Sequence, residues 1–170
     1  MEVWDLYNKD RIKTDSTMIR GDKVPDNYYR IVVHVCIFND DKMLIQQRQS
    51  FKEKWPNKWD LTCGGSVVSG ESSSIGARRE LLEELGIDID FDNIRPSVTI
   101  NFPSGFDDFY LIKRSVDISN LSLQYEEVKS VKWASKEEIE NLIDNDLFIS
   151  YNKDFINLLF SLKDSKGILL

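Results

Sequence analysis

Apolar β-branched runs and stretches of helical periodicity follow one another along the chain. Residues 28–38 (YYRIVVHVCIF) predict a buried strand, and residues 42–48, after the turn-like Asn39-Asp40-Asp41, predict its hairpin partner. Other strands are predicted at residues 3–6, 13–20, 97–102, 109–113 and 128–134, and the first two of these form an N-terminal hairpin within about residues 1–27. Strands interspersed with helices indicate an α/β fold.

Capping residues and apolar spacing predict three helices. Serines at positions 72–74 precede a periodic segment that stops at Gly86, a typical residue just beyond a helix end. Ser135 and Glu138 predict a capping box for a second helix, and a third, amphipathic helix is predicted over about residues 146–163. One side of the first helix is expected to pack on a core through Ile75, Ala77, Leu81, Leu82 and Leu85.

The other side of this first helix carries three carboxylates. At about 100° per residue, Glu80, Glu83 and Glu84 fall within one arc of roughly 100°. Carboxylates this crowded repel one another unless a divalent cation lies between them, and hard oxygen ligands suit Mg²⁺ or Mn²⁺. The glycine pair Gly64-Gly65 lets a backbone carbonyl approach that cation, since no Cβ stands in the way.

Two arginines on the same helix permit a second interpretation. Arg78 and Arg79 could be the ion-pair partners of an acidic face that is simply solvated, as most charge runs are. The fixed spacing of the glycines and Glu71 from the carboxylates favours the metal site. Arg79 is then expected to brace the carboxylates without touching substrate.

Composition narrows the class of protein. A chain of 170 residues, 41% hydrophobic and 30% charged, is expected to form a single domain with its own core. A net charge of −7 argues against nucleic-acid binding, which needs a basic surface. Cys36 and Cys63 lie far apart in the sequence, so they indicate neither a disulfide framework nor a zinc site. The N-terminus is unlike a signal peptide, and no apolar run approaches the length of a membrane span. A cytoplasmic protein is therefore expected.

The stretch from Gly65 to Ile87, GSVVSGESSSIGARRELLEELGI, matches every position of the Nudix box. The chain therefore resembles the Nudix hydrolases. The resemblance implies one Nudix domain over residues 1–170, with a mixed central β-sheet between helices. It also implies a metal-dependent hydrolase, using Mg²⁺ or Mn²⁺, that cleaves the diphosphate linkage of a nucleoside diphosphate joined to another group X.

The resemblance also assigns roles within the site. Glu83 and Glu84 are the first cation ligands, and the carbonyl of Gly64 is a further donor. Glu80 is either another ligand or the general base. A carboxylate outside the box often completes such sites, and Asp108, which precedes a predicted strand, is the candidate for that role, with turn formation as its alternative. Asp107 and the pair Glu126-Glu127 are further acidic candidates.

Residues 43–59, MLIQQRQSFKEKWPNKW, resemble the branch that contains type 1 isopentenyl-diphosphate isomerase. In that enzyme an arginine and a lysine with this spacing help to hold the substrate diphosphate, and Arg48 and Lys52 match them. A forked guanidinium and an ammonium suit a diphosphate, although a solvated loop is the alternative. Cys63 lies close to the place of an isomerase cysteine, but it is one residue nearer the arginine.

Histidine separates this chain from that isomerase. The isomerase builds its metal site from several histidines, whereas this chain contains His34 alone, within an apolar strand. We expect His34 to be a hydrogen-bonded core residue and Cys63 to be a packing residue. An isomerase-like enzyme and a non-catalytic, diphosphate-binding Nudix domain remain the alternatives to the hydrolase.

The sequence leaves the substrate open. Nothing in the spacing distinguishes a nucleotide from an isoprenoid or a sugar diphosphate as the small-molecule partner. Oligomeric state is also undetermined, with a homodimer favoured only because it is the commonest assembly.

Overall fold

The computed structural model describes residues 2–165 of the chain. A short 3₁₀ helix, Ile118–Asn120, lies in one connection. In chain order, the other elements are β1 (Val3–Tyr7), β2 (Lys13–Ile19), β3 (Arg30–Asn39), β4 (Lys42–Arg48), β5 (Trp59–Asp60), β6 (Cys63–Ser66), α1 (Ser73–Leu85), β7 (Val98–Phe102), β8 (Gly105–Lys113), β9 (Val128–Ser135), α2 (Lys136–Asp144) and α3 (Lys153–Leu162).

Seven strands form one sheet, and β1 and β2 form a separate antiparallel pair. The sheet has the order β5-β4-β3-β8-β7, with β6 also paired to β3 and β9 also paired to β4. β3 and β4 are antiparallel, with Phe38 opposite Met43, so the hairpin predicted at the Asn39–Lys42 turn is confirmed. A multi-strand sheet combined with helices confirms the predicted α/β class.

The described chain forms two compact units. The first contains the chain up to His34 together with Gly64–Glu80 and Ile89–Tyr110. The second contains Val35–Cys63, Leu81–Asp88 and the chain from Leu111 onward. The single domain expected for residues 1–170, with its N-terminal hairpin and C-terminal helix, stays a prediction.

The apolar runs in the sequence become the buried centres of strands. Val35, Ile37 and Phe38 of β3 are completely buried, and so are Met43 and Leu44 of β4. Both faces of these strands are therefore covered, which explains why their sequences are continuously apolar rather than alternating. Within residues 2–165, no helix has the length and apolar character needed to cross a bilayer.

The third predicted helix begins later than expected. The sequence predicts it over about residues 146–163, but α3 starts at Lys153, after Asn152 accepts a hydrogen bond from the backbone N–H of Asp154. The preceding residues are extended, because the backbone N–H of Trp59 binds the Leu147 carbonyl and the Trp59 carbonyl accepts from Ile149 N, both at 2.8 Å. A pairing with a distant strand outweighs the local helical pattern.

Two further details differ from the sequence prediction. On α1, Ala77, Leu81 and Leu85 are buried as predicted, but Ile75 and Leu82 are 52% and 48% exposed, so the apolar face is narrower than expected. The strand predicted from residue 109 begins at 105, because Phe102 and Gly105 pair across a two-residue turn. Asp107 and Asp108 therefore lie in a strand and not in a turn.

Asp5 links β1 to the loop before α1. Its carboxylate is 4% exposed and accepts hydrogen bonds from Gly70 N and Ser69 Oγ, each at 2.8 Å, while Lys13 Nζ lies 2.7 Å away. Burial by itself raises the pKa of Asp5, but the donors Gly70, Lys13 and Ser69 outweigh it and hold the pKa below its usual value.

We therefore expect acid to loosen the N-terminal hairpin. Because the folded-state pKa is lowered, this carboxylate stabilises the fold fully above the unfolded pKa of about 4 and loses its contribution as pH falls through the lower folded value. The protection of the β1 amides against hydrogen exchange, corrected for the intrinsic exchange rate at each pH, should fall below about pH 4 in the wild type, and Asp5→Asn should flatten that dependence. Identical acid profiles for the two proteins would contradict the assignment.

Candidate active site

A salt-bridge network organises the loop that enters α1, within the first unit. Arg79 Nε donates to Glu71 Oε1 at 2.7 Å, and its Nη2 donates to Glu71 Oε2 and to the Ser66 carbonyl at 3.1 and 3.0 Å. Arg79 Nη1 donates to Glu80 Oε1 at 2.9 Å, and Val68 N donates to Glu71 Oε2 at 3.2 Å. The predicted contact of Arg79 with the box carboxylates is thus confirmed.

This network also fixes the charge of Arg79. Burial lowers the pKa of the guanidinium, but its hydrogen bonds to Glu71 and the negative charge of Glu80 outweigh burial and raise the pKa above its usual value. An arginine held by four acceptor atoms on three residues cannot rotate freely. The preceding residue of α1, Arg79, therefore fixes the orientation of the Glu80 carboxylate.

Gly64 and Gly65, at the start of the box, leave space for neighbouring side chains. An added Cβ on Gly65 would lie 2.1 Å from Glu80 Oε1, a distance that no Cβ can adopt. An added Cβ on Gly64 would lie 2.9 Å from His34 Nδ1 and 3.0 Å from the Val33 carbonyl. A side chain at Gly65 would displace the Glu80 carboxylate, and one at Gly64 would press on the His34 ring and the Val33 carbonyl, so glycine preserves the observed positions of these groups.

Glu84 is the buried carboxylate of α1, within the second unit. Its side chain is 6% exposed, and Glu84 Oε2 accepts a hydrogen bond from Gln46 Nε2 of β4 at 2.9 Å. Its backbone carbonyl accepts from Gln124 N at 2.9 Å. Glu83, next to it in the helix, is exposed. The predicted ligands on one helix arc therefore stand in different surroundings.

The acidic side chains do not form a finished cage. Across residues 2–165, no group of three or more His, Cys, Asp or Glu side chains is arranged to enclose a metal ion. Glu80 is directed to Arg79, and Glu84 is bound to Gln46. Helical spacing alone, as observed in α1, keeps Glu80, Glu83 and Glu84 on one arc.

Asp108 makes a different set of contacts, within the first unit. Its side chain is fully buried. Arg11 binds both of its oxygens, at 2.8 Å for the Nη1–Oδ1 pair, while Thr99 Oγ1 donates to Oδ1 at 2.7 Å and Ser73 Oγ donates to Oδ2. Arg11 keeps a left-handed backbone, with φ of 61°, a strained conformation for a non-glycine residue that needs surrounding contacts to hold it. Asp108 thus anchors β8 to the start of α1.

His34 is hydrogen-bonded, as the sequence predicts, but its side chain is 17% exposed and so is only partly in the core. Its Nε2 lies 3.2 Å from Asp107 Oδ1, and its ring stacks on Phe109 with centroids 4.5 Å apart. Cys63 is 2% exposed and Cys36 is fully buried, which agrees with packing roles. Burial raises the pKa of the Cys36 thiol, so it stays protonated near neutral pH.

The two basic candidates lie at the loop after β4, in the second unit. Lys52 Nζ binds Glu127 Oε1 at 2.6 Å, with both side chains partly exposed. Arg48 Nε donates to the Lys54 carbonyl at 3.2 Å. Phe51 and Tyr125, which are both exposed, have ring centroids 5.7 Å apart. The loop is therefore tied to the segment before β9 by an ion pair and a ring contact.

Comparison with known proteins agrees with the box. The chain matches the family model of the NUDIX domain over residues 28–153. The chain belongs to the Nudix family. It is 47% identical over 169 residues to an uncharacterized Nudix hydrolase of Listeria innocua, with 99% of each chain covered. As a Nudix hydrolase, it is an enzyme that acts on diphosphate linkages.

Solved structures share the Nudix fold. DR0079 from Deinococcus radiodurans has a TM-score of 0.73 and 24% identity, with 93% of this chain and 97% of that one covered. A bifunctional NMN adenylyltransferase/ADP ribose pyrophosphatase from Francisella tularensis has a TM-score of 0.62 and 20% identity, with 84% and 43% covered. At these identities the similarity shows the fold alone.

Two side chains that bind the candidate carboxylates were missed in the sequence. Gln46 could have been noticed as a polar residue within the apolar run of β4, since a buried amide needs partners. Arg11 left no such signal, because it stands in an ordinary charged turn and meets Asp108 only through tertiary structure.

We expect Asp108→Asn and Arg11→Met to lower the free energy of unfolding by about 1.5–3 kcal/mol each, because each breaks hydrogen bonds to a buried charge. The turnover of the folded fraction should stay within a few-fold of wild type. Chemical denaturation and steady-state kinetics on the same samples measure both. A loss of kcat of a hundredfold or more at unchanged stability would show instead that Asp108 is catalytic.

Proposed function

We propose that this protein is a divalent-cation-dependent hydrolase that cleaves the diphosphate linkage of a nucleoside diphosphate joined to another group X. The observation that carries the proposal is the intact Nudix box on a braced helix, with Glu84 buried and held by Gln46. The neighbour from Francisella tularensis was solved with AMP and a manganese ion, which supports a nucleotide and Mg²⁺ or Mn²⁺ in this protein.

The residues fit such a cation by their chemistry. We propose the carboxylates of Glu80, Glu83 and Glu84 and the carbonyl of Gly64 as its ligands. All are hard oxygen donors of the kind that Mg²⁺ and Mn²⁺ prefer. Gln46 adds a buried amide oxygen that has no hydrogen-bond partner among residues 2–165.

A bound cation would neutralise phosphate charge and acidify a coordinated water. The side chains of the protein orient the reacting groups and accept the proton. Arg79 and Gln46 hold the carboxylates of Glu80 and Glu84 by hydrogen bonds and so limit the orientations they can adopt. Glu80 is either a ligand or the base that removes a proton from the attacking water. Asp108 is proposed as a structural residue, because Arg11, Thr99 and Ser73 already bind its oxygens.

The diphosphate is proposed to bind Arg48 and Lys52. Arg48 offers forked hydrogen bonds, and Lys52 offers a compact positive charge. Glu127 forms an ion pair with Lys52 in the structure. It would therefore compete with a phosphate for the Lys52 ammonium. An isomerase-like reaction has less support, because Cys63 is buried and His34 is bonded to Asp107.

A small molecule is the proposed partner, since the net charge of −7 disfavours a nucleic acid. Cys36 and Cys63 are buried and form no disulfide, which agrees with a reducing cytoplasm as the proposed location. Homodimer formation is proposed only on general grounds, and sedimentation velocity over a range of concentrations tests it.

Glu84→Gln should lower kcat by more than about 100-fold, because losing a metal ligand exceeds the effect typical of outer partners. The measurement is phosphate release, coupled to a phosphatase, from nucleoside diphosphates, nucleotide sugars, dinucleoside polyphosphates, coenzyme A and isoprenyl diphosphates with Mg²⁺ and Mn²⁺. Glu137→Gln, on the exposed face of α2, is the matched control. Full activity in Glu84→Gln would overturn the proposal.

Glu127→Gln should lower KM about two- to fivefold with little change in kcat, because it frees Lys52 from a partly exposed ion pair. Lys52→Met should raise KM. Glu53→Gln, an exposed carboxylate beside Lys52, controls for a general change of charge. If Glu127→Gln leaves KM unchanged while Lys52→Met alters only stability, the ion pair is structural and Lys52 does not bind the diphosphate.

A further inference from the structure

Gln46 is a polar residue in an apolar strand. Its neighbours Met43, Leu44 and Ile45 in β4 are completely buried, and Gln46 itself is 3% exposed. Its backbone lies opposite Asp60 of β5 and Val131 of β9, so β4 is flanked at this position on both edges. Burying an amide in such a place is unfavourable unless its polar atoms are bonded.

Only one end of the amide is satisfied. Gln46 Nε2 donates to Glu84 Oε2 at 2.9 Å. An ionised carboxylate accepts but does not donate, so the NH₂ group must be the end that faces Glu84. The oxygen, Gln46 Oε1, then has no hydrogen-bond partner among residues 2–165. An unpaired buried acceptor costs about 1–3 kcal/mol, and such groups call for a specific explanation.

The adjacent residue shows what a structural glutamine looks like in this strand. Gln47 Nε2 donates to the Asn57 carbonyl at 2.9 Å, and its Oε1 accepts from Ser130 Oγ at 3.0 Å. Both ends of Gln47 are thus satisfied by the protein. Gln46 differs because its oxygen is left over beside a carboxylate of the proposed metal site.

We propose that Gln46 is a positioning residue for cation binding, which orients Glu84 through its NH₂ group and offers Oε1 as an additional neutral oxygen donor to the same divalent cation. This inference rests on the proposed function. An amide oxygen is a hard ligand of the type that Mg²⁺ accepts, and a neutral donor adds no further repulsion to the crowded carboxylates. The unpaired oxygen gains a partner when the cation is bound.

Binding of Mn²⁺ to the full-length protein, freed of metal and followed by electron paramagnetic resonance, tests the proposal. Gln46→Met keeps the size of the side chain and removes both polar atoms, and we expect it to weaken Mn²⁺ binding about 10- to 100-fold, as loss of a ligand's partner does. Gln47→Met, the matched control in the same strand, should keep wild-type affinity. Affinity within twofold of wild type in Gln46→Met would overturn the proposal.

Stability separates positioning from packing. The unfolding free energy of each metal-free variant should be measured beside its Mn²⁺ affinity. If Gln46 had only a structural role, the Gln46→Met variant would be less stable than the wild type but would bind Mn²⁺ with unchanged affinity. Glu84→Gln in the same titration separates the two proposals: if it loses Mn²⁺ while Gln46→Met retains it, only the role of Gln46 fails. If both retain it, the proposed function fails as well.

A second measurement needs no variant. In the wild type, Mg²⁺ titration should shift the side-chain amide nitrogen and proton signals of Gln46 strongly, and those of Gln47 little. This readout decides the question even if Gln46→Met does not fold. An unshifted Gln46 amide at saturating Mg²⁺ would overturn the proposal.

Discussion

Negative charge crowded on one helix is the constraint around which this site is built. Glu80, Glu83 and Glu84 share an arc of α1, and each needs a counter-charge, a donor or water. The surroundings differ at each of the three positions. Arg79 binds Glu80 within a network that also contains Glu71, whereas a neutral amide serves the buried Glu84. Glu83 is exposed.

Neutral and charged partners have different consequences for a metal site. A guanidinium holds its carboxylate strongly and competes with a cation for it, whereas an amide donates one hydrogen bond and leaves the carboxylate its charge. Glu84 is therefore fixed in orientation by a partner that carries no positive charge. Glu80, held by Arg79, is better suited to a role that depends on where the carboxylate points.

Asp108 shows the same chemistry used for stability. In the sequence it is an acidic residue like those of α1. In the structure it is fully buried, is bound by Arg11, and accepts a hydrogen bond from a hydroxyl group on each of its two oxygens. The cluster joins four segments, the turn between β1 and β2, α1, β7 and β8. Removing one partner would leave an unpaired buried charge.

The family, the α/β class, the limits of β4, the capping box of α2 and the arc of carboxylates on α1 could all be predicted from the sequence, because they follow from short-range periodicity and fixed motif spacing. The start of α3 at Lys153, the contact of Asp108 with Arg11 and the contact of Gln46 with Glu84 became visible in the folded chain. Each of these depends on residues brought together from distant parts of the chain. Local preference cannot foresee them, since the energy of a buried hydrogen bond depends on the partner that folding supplies.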